Sequence, residues 1–358
     1  MEKAAKDFLI ELVSTPGVSG YEQPVQKVVR KYAESFAEEI NTDLHGNVTL
    51  SVNSSAETRV MLAGHCDQIG LIVSHIDDNG FIYTQTIGGW DPQQLIGQRM
   101  TVWTSQGPIN GVIARKAIHL LDPEERKQVV KAKELWIDIG ASNKEEASDI
   151  VEIGDSVTLQ LGFQPLLNNL ANSPAMDNRT GLWVCVEALR RAAASKKLNC
   201  NLFAVSTVQE EIGLRGARTA AYGIDPHIGI AVDVTHATDC PTVDPKQQGD
   251  IKLGGGPVVV RGPNINPEVA KRFKALGKSN DIPFQCNALG RAAPNDSNAL
   301  QVTRGGVAAG ILAIPNRYMH SAVETISLDD IDNAAELLAQ FACSVDDHKA
   351  FILSLIHI

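Results

Sequence analysis

Two adjacent carboxylates, Glu210 and Glu211, follow an apolar run from Leu202 to Val208 and precede the turn Ile212-Gly213-Leu214. The run reads as a buried strand. Neighbouring side chains on an extended segment point in different directions. One carboxylate can then bind a cation while the other handles a proton, which is hydrolytic chemistry. Four further residues of the right type stand at comparable places. His65 follows the predicted strand Arg59–Ala63, and Asp233 follows the run Ile228–Val232. His320 comes a short loop after Ile311-Leu312-Ala313-Ile314-Pro315, and Asp177 lies just before a predicted helix that starts at Gly181. Sites in open α/β sheets form at the carboxyl ends of strands, so these groups are expected to converge. Imidazoles and carboxylates suit zinc first, with cobalt or manganese as alternatives. A bridging carboxylate can hold two such ions about 3.5–4 Å apart. Any one of these residues alone would be an ordinary cap or turn residue. The Glu210-Glu211 pair alone would serve as a helix N-terminal charge pair. The argument rests on the whole set at strand ends.

The elements that must position these groups divide the chain in three. Helical patterns open it, the second carrying Val25, Val28, Val29, Tyr32 and Phe36 at helical spacing. Strands are predicted at Asn47–Val52 and Arg59–Ala63, the latter leading into Gly64-His65-Cys66-Asp67. Residues 68–165 are dominated by short β-like runs: Gly70–His75, Phe81–Thr86, Arg99–Trp103, Gly111–Ala114, Leu135–Ile139 and Ser156–Leu161. Turns such as Asp78-Asn79-Gly80 separate them. Beyond residue 170 an alternating pattern resumes, with a helix from Gly181 to Ala194 and strands at Leu202–Val208, Ile228–Val232, Val258–Val260 and Ala308–Ile314. Helices are expected near 267–278 and 328–342. The expected fold is α/β, a mixed sheet covered by helices on both faces. Residues 1–67 and 166–352 form the catalytic part, and 68–165 form an inserted β-rich domain. Residues 353–358 fit no amphipathic helix and are set aside as a candidate non-native tail.

Composition narrows the function. The 358 residues are 44% apolar and 21% charged, with a formal net charge of −10. That charge disfavours nucleic acid and anionic membranes as partners. No apolar segment is long enough to span a bilayer, and the charged N-terminus lacks the apolar core of a signal peptide. Six cysteines are scattered without a C-x-x-C pair, which points to free thiols in a reducing cytoplasm rather than a thiolate zinc site. Cys66 is read as packing. His45, His75, His227 and His348 are read as surface or packing residues, and His236 as a candidate at the site rim. The Gly254-Gly255-Gly256-Pro257 segment lacks the Lys and Ser/Thr of a phosphate loop and is read as a turn. The charge run Asp122–Lys127 is read as a solvated face. No G-x-S-x-G nucleophile motif is present.

Several segments carry a family resemblance: Pro16-Gly17-Val18-Ser19-Gly20-Tyr21-Glu22, Ala63 to Gly70, Ala175-Met176-Asp177-Asn178-Arg179-Thr180-Gly181, Val208 to Ala217, Ala231-Val232-Asp233 and Arg317 to Glu324. Their order and spread over nearly the whole chain resemble the M42 family of dinuclear metallo-aminopeptidases, which includes glutamyl aminopeptidases and the tetrahedral TET peptidases. Ile118-His119-Leu120-Leu121 and Trp136–Gly140 resemble that family's inserted domain. The resemblance implies roles. His65 and Asp233 would bind one metal, Glu211 and His320 the other, and Asp177 would bridge the two. Glu210 would be the general base acting on a metal-bridging water, and Asp67 would hydrogen-bond the His65 imidazole and fix its tautomer. It also implies peptide substrates shortened from the N-terminus, dimers formed through the insert, and a dodecamer built from dimers. Two departures stand out. Asn178 occupies a position where many members carry Asp, and Pro294-Asn295-Asp296-Ser297-Asn298-Ala299 replaces a commoner Thr-Asp-Ala form. Two rival readings are a deacylase of N-acyl amino acids with the same metals and a non-catalytic metal-binding assembly protein. The presence of Glu210 argues against the second, because metal binding alone has no need of a base.

Overall fold

The computed structural model describes residues 1–353; all of the candidate tail except Leu353 lies outside the described residues. Its centre is an eight-stranded mixed sheet. In spatial order the strands are Glu39–Thr42, Val48–Val52, Asn201–Thr207, Arg59–His65, Ile228–His236, Ala308–Asn316, Val258–Arg261 and Gln285–Ala288. The four central strands, from Asn201–Thr207 to Ala308–Asn316, run parallel. Antiparallel pairing flanks them, through Val48–Val52 on one side and Val258–Arg261 on the other. All four central strands therefore present their carboxyl ends at one edge.

Both faces of the sheet are covered, and the strand period of two shows how. In Arg59–His65, Val60 and Leu62 enter a large core with Leu9, Val29, Trp183, Phe273 and Phe341. Met61 and Ala63 point the other way, into a smaller core with Ala217, Ala221 and Leu300. Helices Lys3–Ser14, Met176–Ala193, Pro267–Ser279 and Leu328–Cys343 supply the first layer. Helices Arg215–Ile224 and Asp296–Gln301 supply the second. Trp183 is fully buried, and its indole N–H donates to the Ala5 carbonyl at 2.7 Å, tying the first helix to the central one. Between the strands Arg59–His65 and Asn201–Thr207 the chain forms a closed six-stranded barrel. It is built from Gly70–Ile76, Ile82–Ile87, Trp136–Asp138, Gly107–Ala114, Arg99–Thr104 and Ser156–Leu159, around its own core of Leu71, Val73, Ile82, Val102, Ile137 and Val157.

Several expected boundaries need correction: the strand expected over Arg59–Ala63 runs on to His65, which lies within it, and that over Ala308–Ile314 runs to Asn316. The strand expected to stop at Val232 continues to His236, so Asp233 lies within it. β-Branched Val234 and Thr235 pair with Ile314 and Pro315 and carry the ladder on. The helix expected from Gly181 begins at Met176. Asp177 (φ −80°, ψ 106°) and Asn178 (φ −126°, ψ 41°) are not helical, so this first turn is distorted where the candidate ligand sits. The Gly254-Gly255-Gly256 turn is pinned by Asp330, whose carboxylate accepts the Gly254 and Gly256 N–H groups at 2.8 and 2.7 Å. Outside the site, the His227 ring accepts the Arg59 N–H at 3.0 Å and stacks on His348 with centroids 3.9 Å apart.

The central helix lies close on the sheet because two glycines let it. A Cβ at Gly64 would lie 2.6 Å from the Leu182 nitrogen and 2.8 Å from the Gly181 oxygen. One at Gly181 would lie 2.5 Å from the Val232 oxygen. This contact fixes how far Asp177, at the head of the helix, stands from His65 and Asp233. Gly64→Ala is expected to lower stability by about 1–3 kcal/mol through overpacking against backbone. Chemical denaturation at matched protein and metal concentration measures this; an unchanged midpoint would show that the helix is free to slide.

Candidate metal centre

The carboxyl edge of the parallel strands brings together the residues predicted to meet there. Asp177 is central. Its Oδ1 lies 3.2 Å from His65 Nε2, and its Oδ2 lies 3.3 Å from His320 Nε2. Glu211 Oε2 is 3.5 Å from His320 Nε2. Glu210 Oε2 and Asp233 Oδ1 are each 3.8 Å from His65 Nε2. His65, Asp177 and Asp233 are buried, and Glu210 and Glu211 nearly so. One donor atom each from His65, Glu210 and Asp233 fall within 4.8 Å of one another, as do those from His65, Asp177 and Glu211.

The imidazoles are oriented by groups that can only accept. His65 Nδ1 lies 3.1 Å from the Asp67 carbonyl oxygen and 3.5 Å from the Asp67 carboxylate. His320 Nδ1 lies 2.8 Å from the Gly89 carbonyl oxygen, which the barrel segment supplies. A carbonyl requires Nδ1 to carry the hydrogen, so Nε2 is the nitrogen each ring can offer a cation; without one, Nε2 also carries a proton and donates it to Asp177. The shorter Asp67 contact to His65 is thus through its backbone. Its carboxylate has other partners: the Glu210 N–H at 3.0 Å, the Glu211 N–H at 3.2 Å and the Ser19 hydroxyl at 2.6 Å.

Electrostatically the cluster is overloaded with negative charge. Burial pushes Glu210 up to about 10, with Asp233, Asp296 and Glu211 adding to the effect and His65 opposing it. Burial and the neighbouring Asp177 push Glu211 up to about 8. Burial likewise takes Asp233 to about 7. Burial also acts on Asp177, but hydrogen bonds from both imidazoles outweigh it and hold the group well below the usual carboxylate range. The hydrogen bond to Asp177 lifts His320 to about 9. Burial resists protonation of His65, yet Glu210, Asp177, Asp67 and Asp233 together raise it well above its ordinary value. Protons are drawn in where positive charge is missing.

The donor set fits divalent cations. Tetrahedral bonds of about 2.0–2.2 Å place ligand atoms about 3.3–3.6 Å apart, close to the 3.2–3.8 Å contacts around Asp177 and His65. Glu211 Oε1 is buried without a hydrogen-bond partner, an acceptor that a cation would satisfy. Beside the cluster lies a cavity of about 690 Å³, with Val260, Leu289, Ile311 and Met319 on its apolar walls and His236 among its polar ones.

Several contributors had no assigned role in the sequence reading. Buried Glu324 accepts the Asp177 N–H at 2.9 Å and the His320 N–H at 2.7 Å, so one carboxylate braces two candidate ligands. The visible signal was an acid four residues after His320. Asp296 is buried, accepts the Thr207 hydroxyl at 2.7 Å and adds to the negative field. Asn178 donates to the Val232 carbonyl at 2.7 Å and accepts the Gly181 N–H at 3.0 Å. An Asp there would set a carboxylate against that carbonyl, so Asn suits the position. Cys66 is buried, and burial raises its thiol above the ordinary range.

An open α/β sheet with buried carboxylates, one buried imidazole and one half-buried imidazole converging at its strand ends is the arrangement of a metal-dependent hydrolase. Comparison with known proteins narrows the class. The family profile described as M42 glutamyl aminopeptidase matches residues 46–337. A lysyl aminopeptidase of Pyrococcus furiosus is 37% identical over 336 residues, covering 92% of this chain and 94% of the relative. The crystal structure of a TET aminopeptidase from a marine sediment thaumarchaeote superposes with a TM-score of 0.92 at 33% identity, covering 98% of this chain and 99% of that one. The TET1 peptidase of Pyrococcus horikoshii, which can assemble into a tetrahedron or a large octahedral shell, gives 0.84 at 29% identity, covering 95% and 100%. The chain belongs to the M42 family and is a peptide hydrolase of the aminopeptidase type.

Two predictions follow from the geometry. Glu324→Ala should weaken divalent-metal retention by about 10–100-fold, read by competition with a chromophoric chelator; unchanged affinity would mean the brace is dispensable. Glu211, Asp233 and His320 hold protons near neutral pH without a cation, and a cation must displace them. Metal uptake by stripped protein at pH 7 should therefore release protons, and apparent affinity should rise with pH. Calorimetry in two buffers of different ionisation enthalpy checks the sign; net proton uptake would contradict it.

Proposed function

We propose that this chain is a dinuclear metal-dependent aminopeptidase that removes N-terminal residues from peptides. The observation that carries the reading is that the two oxygens of Asp177 face different imidazoles, at 3.2 and 3.3 Å. A carboxylate so placed suits a bridge between two ions. His65 and Asp233 would hold one ion, Glu211 and His320 the other, with Asp177 common to both. Zinc fits this donor set best, with cobalt or manganese as alternatives. When bound, the ions supply an acidified water, a Lewis acid for the scissile carbonyl and an anchor for a free α-amino group.

The chain's own residues do the rest. Glu210 borders the cluster and is largely buried, and no group among the described residues donates a hydrogen bond to its carboxylate. It takes the proton from the attacking water and passes it to the departing amine. The Asp67 and Gly89 carbonyls keep the imidazoles in the tautomer that leaves Nε2 free. The adjoining cavity receives the first side chain against Leu289, Ile311 and Met319. An internal peptide bond offers no free amine, so the action is at the chain end. The solved TET relatives support a self-assembling shell, and we place the barrel at residues 68–165 in the dimer contact of a dodecamer. Scattered free cysteines favour a reducing cytoplasm.

Glu210→Gln should lower kcat by about 10²–10⁴-fold while bound metal, counted by elemental analysis, stays near the wild-type value. Stripped wild-type enzyme, restored with zinc, cobalt or manganese, should cleave chromogenic aminoacyl substrates and reject their N-acetylated forms. Preference for the blocked substrates would replace this reading with a deacylase.

A further inference from the structure

The loop that presents Glu210 and Glu211 hangs from side-chain oxygens by four consecutive backbone N–H groups. Asn47 Oδ1 accepts from Val208 at 3.1 Å, and the Asp67 carboxylate accepts from Glu210 and Glu211. The remaining N–H, that of Gln209, donates to Glu22 Oε1 at 3.1 Å. Gln209 is where the chain turns. Its φ is +55°, a left-handed conformation that costs a non-glycine residue energy and persists only when surrounding contacts impose it. The next side chain along is Glu210.

Glu22 is placed for this and for little else. It is 4% exposed and stands at the N-terminus of the helix Gln23–Ala33, yet its side chain does not cap that helix. Its Oε1 reaches back to the Gly20 N–H at 2.8 Å and across to Gln209. It has no cationic partner within ion-pairing distance among the described residues. A buried carboxylate without a cation or a cap to make is costly, and its contact with the Gln209 turn is the use the geometry gives it.

We propose that Glu22 is a positioning residue for the reaction: by accepting the Gln209 N–H it holds the left-handed turn and so aims Glu210 at the attacking water. The proposal rests on Glu210 being the base. It acts first on Glu210, which is bonded directly to the Gln209 turn, whereas the candidate ligand Glu211 lies one residue further on with its N–H held by Asp67.

The test compares Glu22→Ala, Glu22→Gln and Glu210→Gln with wild type in the full-length, metal-loaded enzyme on one chromogenic aminoacyl substrate, with metal content measured in parallel. Glu22→Ala should lower kcat by about 10²-fold, the scale of a misplaced catalytic group, with KM and bound metal unchanged. Glu22→Gln keeps a neutral acceptor in place and should restore kcat to within about fivefold of wild type. Should the alanine variant fold poorly, Glu22→Asp, whose acceptor is drawn back by one methylene, should show the same loss of kcat. Wild-type kcat in Glu22→Ala or Glu22→Asp overturns the proposal. So does a fall in kcat that tracks lost metal or raised KM, or a glutamine variant no better than alanine. An active Glu210→Gln variant refutes the base itself; an inactive one beside a fully active Glu22→Ala refutes only the role of Glu22.

Discussion

The constraint behind this structure is that carboxylates buried together cannot all stay ionised without cations. Asp177, Glu210, Glu211, Asp233, Asp296 and Glu324 crowd the carboxyl edge of one sheet, facing two imidazoles. Desolvation and like-charge repulsion both favour protonation there. The upward shifts at Glu210, Glu211 and Asp233 express that conflict. Two divalent ions at the proposed positions would relieve it.

Such a cluster must be held by something other than itself, and the backbone does much of this. Carbonyls of Asp67 and Gly89 turn the imidazoles. Amide groups of Asp177 and His320 are gathered by Glu324, and those of Glu210 and Glu211 by Asp67. Most of these braces join a site residue to a distant segment. The sheet fixes strand ends to within a register step, and these bonds convert that into the finer placement of side chains. The close approach of the central helix at Gly64 and Gly181 belongs to the same scheme, because it sets the depth of Asp177.

Much of this was legible in the sequence, for reasons that particular residues show. Apolar runs ending in a polar residue, as at Ala63-Gly64-His65 and Val208-Gln209-Glu210, mark strand ends, and a parallel sheet collects such ends at one edge. Short alternating runs after residue 68 anticipated a β-rich insert, though closure into a barrel depends on pairings such as Leu71 with Val157 that no local pattern records. Asp233 was placed beyond its strand because apolar periodicity stops at Val232, whereas the ladder is extended by Val234 and Thr235 against a neighbouring strand. Asp177 was placed before its helix because the distorted first turn leaves no helical signature. Glu324, Glu22 and the Gly89 carbonyl went without roles for one common reason. They act through hydrogen bonds with residues far away in sequence, Glu324 with Asp177, Glu22 with Gln209 and Gly89 with His320, and such a bond has no spacing to detect.

The most direct test of the central claim is crystallographic. Crystals of zinc-restored protein, measured with anomalous scattering at the zinc edge, should show two peaks about 3.5–4 Å apart, on either side of the Asp177 carboxylate and between His65 and His320. A single peak, or peaks bound away from Asp177, would contradict the account.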